Sequence, residues 1–210
     1  MDIVPPKLNE YLQRLLPERH PKLLEMEQLA AERDFPIIGP LVGRLLYQYT
    51  RALGAKRVFE MGSGFGYSAF WFALALPNDG TVICTDASQN NLDLAEDYLK
   101  AAGLLKKVEL HAGDALKILS QSTGAFDIIL NDIDKHDYPR VVELVVPRLR
   151  TGGLLITDNT LWKGKVAEDK PDSTTKAILE YNRRVFSHPD LWTTLLPLRD
   201  GLTVSLKVAE

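Results

Sequence analysis

Along the first fifty-odd residues, apolar positions recur at helical spacing. Leu8, Leu12, Leu15 and Leu16 fall on one face, Pro17 and Pro21 interrupt, and Leu23, Leu24, Met26 and Leu29 resume the period. Beyond Pro36 and Pro40, Leu41, Val42, Leu45, Leu46 and Tyr49 predict a third helix that stops at Gly54. The pattern then changes to short apolar runs alternating with helical ones. Strands are predicted over 57–61, 81–85, 108–111, 126–130 and 153–157, with helices over about 67–76 and 90–102 and helical segments between the later strands. Such alternation implies a parallel sheet covered by helices on both faces. The tail departs from it: 191–198 and 202–208 read as strands joined at Arg199-Asp200-Gly201, an antiparallel hairpin. The predicted fold is α/β, a doubly wound Rossmann-like sheet with N-terminal helices and a C-terminal hairpin. It is read as a single domain over 1–210, in which a helical extension (1–54) packs on an α/β core (55–210).

Composition adds bounds to this picture. With 210 residues, 45% hydrophobic and 25% charged, the chain is long enough to bury one substantial core. A net charge of −3 gives no overall attraction to a polyanion, although a local basic patch can hide in the average. Cys84, the sole cysteine, lies in an apolar run and reads as a buried thiol. The start lacks the basic and apolar regions of a secretory signal. The longest apolar run, 69–77, is far short of the ~20 residues that span a bilayer. A cytoplasmic protein without a membrane partner is the expectation.

Candidate chemistry gathers at the predicted strand ends. Glu60-Met-Gly62-Ser63-Gly64-Phe-Gly66-Tyr67-Ser68 links the first strand to its helix, where glycines permit a sharp turn and close approach to a ligand. A nicotinamide-type fingerprint would put its third glycine at position 67, where Tyr67 stands, which disfavours NAD(P). Asp86 ends the second strand and can either bind ribose hydroxyls or cap the helix after Ser88. Asp114, in Gly113-Asp-Ala115, can edge an adenine, cap a helix, or do both. Asp132 follows the fourth strand, and Asp158 and Asn159 follow the fifth. Together they would give a hard divalent cation three oxygen ligands, or they are simply caps and turn formers.

Taken in order, Glu60-x-Gly-Ser-Gly-x-Gly-Tyr-Ser68, Gly113-Asp-Ala115, Asp132-x-Asp-Lys135 and Asp158-Asn-Thr-Leu-Trp162 resemble the cation-dependent O-methyltransferases of the catechol and caffeoyl-CoA type. Weaker similarity covers nearly the whole chain, including Pro36-Ile-Ile38 and Asp200-Gly-Leu202. The resemblance implies S-adenosylmethionine contacts at Ile38, Glu60, Gly62, Ser63, Ser68, Asp86, Ala115 and Asp134, with Asp114 beside them. It implies Mg2+, Mn2+ or Ca2+ at Asp132, Asp158 and Asn159, Lys135 as the base, a small vicinal dihydroxy aromatic as acceptor, and a homodimer. Asn131, Lys163 and His136 depart from the family pattern. Trp162 reads as packing, and Trp71 and Trp192 as core or subunit contacts. The competing readings are a tRNA wobble 5-hydroxyuridine methyltransferase, served by a basic face of Lys163, Lys165, Arg183 and Arg184, and an NAD(P)-dependent oxidoreductase. A non-enzymatic nucleoside-binding domain is disfavoured by the presence of Lys135 and all three metal positions.

Overall fold

Seven strands form one sheet in the computed structural model, which describes residues 3–209. They are β1 (Arg57–Met61), β2 (Thr81–Asp86), β3 (Val108–Ala112), β4 (Phe126–Asn131), β5 (Leu149–Thr157), β6 (Leu191–Leu196) and β7 (Leu202–Lys207). The spatial order is β3-β2-β1-β4-β5-β7-β6, parallel from β3 to β5, with β7 antiparallel to both β5 and β6. The expected doubly wound sheet with its closing hairpin is therefore present. The chain leaves β1 towards β2 and β3 on one side and returns to β4 on the other. Connections diverge there, opening a crevice at the carboxyl ends of β1 and β4, where open α/β sheets bind ligands.

Three helices precede the sheet: α1 (Pro6–Arg14), α2 (Pro21–Glu32) and α3 (Gly39–Ala52). The crossovers carry α4 (Tyr67–Ala75), α5 (Gln89–Ala101), α6 (Ala115–Gln121), α7 (Tyr138–Val145) and α8 (Ser173–Ser187). Because successive strand side chains point to opposite faces, each strand feeds two cores. Val58, Ile128, Leu130, Leu154 and Ile156 pack with Leu23 and Met26 of α2, Val42 and Leu46 of α3, and Phe70 of α4. Phe59, Ile129 and Leu155 pack with Leu119 of α6, Val141 and Val142 of α7, and Ile178 and Tyr181 of α8. Thus α2 and α3 share a core with the sheet. In contrast, α1 buries none of its residues, and Leu8, Tyr11 and the flanking Leu15 are exposed.

Two sequence expectations are corrected. β5 begins at Leu149, four residues early, because Gly152 (φ +78°) and a register irregularity opposite β4 carry the strand through a stretch whose glycines break the apolar pattern. β6 stops at Leu196, since Pro197 has no N–H for the ladder and Leu198 N–H turns back to the Leu196 carbonyl (2.8 Å). Of the two tryptophans expected in the core or at a subunit contact, Trp71 is buried and Trp192, on β6, is 71% exposed.

Candidate active site

β1 runs into the glycine turn, and the turn is forced by its neighbours. Gly62 sits at φ +83°, and a Cβ there would run into the carbonyl of Asp132 in the loop after β4. Gly66 (φ +84°) caps α4 without a side chain, and a Cβ on it would come within 2.8 Å of the Ala95 Cβ on α5. Only glycine satisfies both the backbone conformation and the contact. The Gly62 and Ser63 N–H groups donate to the Thr85 carbonyl at 3.0 and 2.9 Å, which holds the turn against the end of β2. Beneath it Glu60 is fully buried, and neither its oxygens nor Ser63 Oγ has a well-formed hydrogen bond. Burial pushes the Glu60 carboxyl up, opposed by the nearby hydroxyls of Ser68 and Ser63 and the Cys84 thiol. Buried polar atoms without partners are costly, so these acceptors fit a cationic or N–H-bearing ligand in the turn.

Asp86 is committed to backbone from two directions. Its Oδ2 accepts from Gly64 N–H (2.9 Å), and its Oδ1 accepts from Ser88 N–H (2.8 Å) and from the side-chain amide of Asn91 (3.0 Å). Ser88, rather than Asp86, supplies the N-cap of α5. Asp114 is the N-cap of α6, accepting from the N–H groups of Leu116 (2.9 Å) and Lys117 (3.2 Å). Asp134 accepts from the His136 N–H (2.9 Å) and lies 3.0 Å from its Nδ1, so the histidine is a surface partner of that carboxylate.

Two adjoining pockets share Gly62, Asp86 and Asp132. One extends to Ile38, Ser63, Ser68, Lys135, Asp158 and Asn159, and the other to Asp114, Ala115 and Asp134. Every expected site residue except Glu60 lines one of them. Glu60 lies beneath.

The acidic side is built by two strand ends. Asp132 N–H donates to the Met61 carbonyl (2.9 Å) and Asp158 N–H to the Asn131 carbonyl (3.2 Å), so each loop leans on the neighbouring strand. Asp158 is 2% exposed, its Oδ1 has no hydrogen-bond partner, and its Oδ2 lies 3.8 Å from Arg199 Nη1. Burial, reinforced by the Asp132 charge, pushes its carboxyl up to about 7. Burial also raises Asp132, against the pull of Lys135, whose Nζ lies 2.7 Å from Asp132 Oδ1 and 3.2 Å from the Ile133 carbonyl. Asn159, at φ +59°, turns its amide nitrogen to Asp200 Oδ2 (3.4 Å). Among the described residues no group of three or more His, Cys, Asp or Glu is disposed to hold a metal. The donors that converge here are two carboxylates and an amide.

Sequence reasoning treated Arg199 only as a turn residue, yet it lines the pocket beside Asp158. It also missed the link from Tyr67 Oη to Glu27 Oε1 (2.7 Å), itself paired with Arg19 (2.6 Å), which ties α2 to the start of α4. Three of the four basic residues considered for a nucleic-acid face have acidic partners: Lys165 with Asp172, Arg183 with Glu180, and Arg184 with Glu180 and Glu143. Trp162 is half-buried against the α7–α8 core, as the packing reading expects. Among the described residues no helix is long and apolar enough to cross a membrane.

A family model described as O-methyltransferase matches residues 18–208. The chain is 29% identical over 208 residues to caffeoyl-CoA O-methyltransferase 1 of Eucalyptus globulus, covering 92% of this chain and 84% of that protein. It is 31% identical to tricin synthase 2 of Oryza sativa subsp. japonica, covering 94% and 73%. The crystal structure of TomG, an O-methyltransferase of Streptomyces achromogenes in tomaymycin synthesis, solved with S-adenosylmethionine, superimposes with a TM-score of 0.87 at 28% identity, covering 97% and 96%.

Proposed function

The chain belongs to the O-methyltransferase family and uses S-adenosylmethionine, and from that premise we propose that it methylates a hydroxyl of a small vicinal dihydroxy aromatic held through Mg2+ or a similar divalent ion. The observation that carries this reading is the buried Asp158 beside Asp132, with Asp158 Oδ1 left without a partner. Two carboxylates and the Asn159 amide are hard oxygen donors, which suit Mg2+, Mn2+ or Ca2+ and suit zinc poorly. When bound, such an ion supplies Lewis acidity to an acceptor hydroxyl, and the sulfonium cofactor supplies the methyl group.

The chain's own residues do the rest. Ser63, Ser68, Ile38 and the buried Glu60 would hold the amino-acid end of the cofactor, Asp86 its ribose, and Asp114, Ala115 and Asp134 its adenine. Lys135 would take the hydroxyl proton in its free-amine form, its Nζ being within reach of the acidic pair where the acceptor oxygen would be held. Phe35, Pro36 and Ile37 line the same pocket and offer an apolar surface to an aromatic ring. Holding the oxygen in line with the methyl group is the main task, because displacement at carbon tolerates little misalignment. A caffeoyl-CoA relative is named for a catechol-bearing acceptor. The acidic partners of Lys165, Arg183 and Arg184 favour a small acceptor over tRNA, which needs several uncommitted cations for its phosphates.

The same reading takes 1–210 as one domain, of which residues 1, 2 and 210 lie outside the described residues, because α2 and α3 share a core with the sheet. It also takes the protein as a cytoplasmic homodimer, a second copy covering Leu8, Tyr11 and Leu15. Light scattering at micromolar concentration tests the dimer, and a monomer contradicts it. For the reaction, the experiment is methyl transfer to caffeate and to hydroxyuridine-containing tRNA, before and after EDTA. Loss with EDTA and recovery with Mg2+ or Mn2+ is expected, with caffeate preferred. Full activity of the metal-free protein sinks the metal assignment, and a higher kcat/KM on tRNA sinks the acceptor assignment.

A further inference from the structure

We propose that Arg199 selects the acceptor by charge, favouring an aromatic that carries a carboxylate or similar anion over a neutral one. The inference rests on the reading of the pocket as a small-phenol site. Arg199 stands at the hairpin tip between β6 and β7 with φ +51°, a conformation natural for glycine and costly for arginine. The tip cannot relax easily, because its neighbours are stitched to the loop after β5. Leu161 N–H donates to the Asp200 carbonyl (2.9 Å), Thr160 N–H to the Gly201 carbonyl (3.0 Å), and Lys163 N–H to the Asp200 carboxylate. The fold therefore holds a long cation in an unfavourable backbone conformation at the mouth of the pocket. Strain kept at a ligand site is a mark of function.

The side chain is poised rather than engaged. Among the described residues its one ion pair is the 3.8 Å approach to Asp158, beyond hydrogen-bond distance, and about a third of the side chain is exposed. A guanidinium has five N–H donors in a fork that matches a carboxylate, so it has ample capacity for a ligand. The other cation on this wall, Lys135, is already held by Asp132 at 2.7 Å. The charge balance points the same way. Asp86, Asp132 and Asp158 oppose Lys135 and Arg199 in this pocket, and Asp86 is committed to three N–H donors. A divalent ion and a sulfonium would leave a positive excess that a neutral catechol cannot offset and an anionic one can.

The test compares caffeate with its methyl ester, two acceptors with one catechol ring and different charge. Three proteins are needed: wild type, Arg199→Gly, which suits the positive φ and so preserves folding, and Arg199→Lys, which keeps a charge. Wild type should favour caffeate, chiefly through KM. In Arg199→Gly the preference should shrink at least about tenfold, the size of a lost charge-assisted hydrogen bond, with Arg199→Lys recovering part of it. Calorimetry with S-adenosylhomocysteine should give the same affinity for all three proteins. An equal fall on both acceptors, or no fall on either, overturns the proposal. So does weakened S-adenosylhomocysteine binding, which would assign Arg199 to the cofactor. If wild type turns over acid and ester alike, only the role of Arg199 fails. If it binds cofactor yet methylates neither, the small-phenol reading fails and takes this proposal with it.

Discussion

Asp86 and Asp114 stand on one side of the cleft and Asp132 and Asp158 on the other, and the four carboxylates keep different company. Asp86 accepts three N–H groups and Asp114 two, all from nearby turns and helix starts. Their negative charge organises backbone while their outer edge faces the pocket. Asp158 takes one backbone N–H, from Asn159, and Asp132 has Lys135 Nζ on its side chain, so neither is settled by several local N–H groups. Burial pushes both up, the Asp132 charge adds to this at Asp158, and Lys135 and the more distant Arg199 offset it in part. A carboxylate that accepts local N–H groups is stable without a ligand. One sunk beside a like charge is waiting for a cation. The difference separates a side that recognises from a side that reacts.

Substitutions can break that comparison, and the largest effect should come from the reacting side. Asp158→Ala is expected to lower kcat by about 10^2–10^3-fold, as for loss of a group facing developing charge, while S-adenosylmethionine affinity by calorimetry is largely kept. A collapse of cofactor affinity with metal binding intact would move Asp158 to the recognising side. Next comes Gly62→Ala, at the point where the sides touch. Backbone strain and overlap with the Asp132 carbonyl should cost about 2–4 kcal/mol in denaturant unfolding. An unchanged midpoint would show that the two loops are free to separate.

On the recognising side, Asp86→Ala should weaken S-adenosylmethionine by about 1.5–3 kcal/mol, the range for hydrogen bonds to a charged group. Unchanged affinity would reduce Asp86 to a turn former. The smallest effect is expected from Tyr67→Phe, which removes the hydrogen bond to Glu27 and leaves the Arg19 pair intact. About 1 kcal/mol of stability should be lost, with kcat nearly unaltered. A large fall in kcat would instead make the α2–α4 link part of the reacting side.

The recognising side was the more legible in sequence, and the reason is locality. The glycine turn shows as a run of closely spaced glycines and Asp114 caps the helix that begins at the next residue, so local spacing exposes both, although Ser88 rather than Asp86 caps α5. Strands fed by a clear apolar run, such as Arg57–Met61, are legible on the same grounds. The reacting side joins Asp132, Asp158 and Arg199 from three separate loops, and spacing alone left its aspartates indistinguishable from turn formers until the ordered motifs raised the resemblance. Arg199 left no signal, because its positive φ comes from the stitching of its neighbours to a loop some forty residues earlier. The Tyr67–Glu27 bond spans 40 positions and was equally silent. The early start of β5 was hidden by the stretch up to Gly152, which breaks the apolar run and acts as an irregularity within the strand.

The place of β7 between β5 and β6 has a consequence for the order of assembly. Of the seven strands, the last to be synthesised is the one that fills an interior position in the sheet. Until residues 202–207 exist, β5 lacks its outer neighbour and β6 has no ladder to join. Without that strand nothing holds the Asp200 and Gly201 carbonyls against Leu161 and Thr160, the bonds that anchor the loop bearing Asp158 and Asn159. The glycine turn, Asp86 and Asp114 need nothing from that strand. A growing chain therefore has all the residues for holding a nucleoside well before it can complete the place where the acceptor reacts.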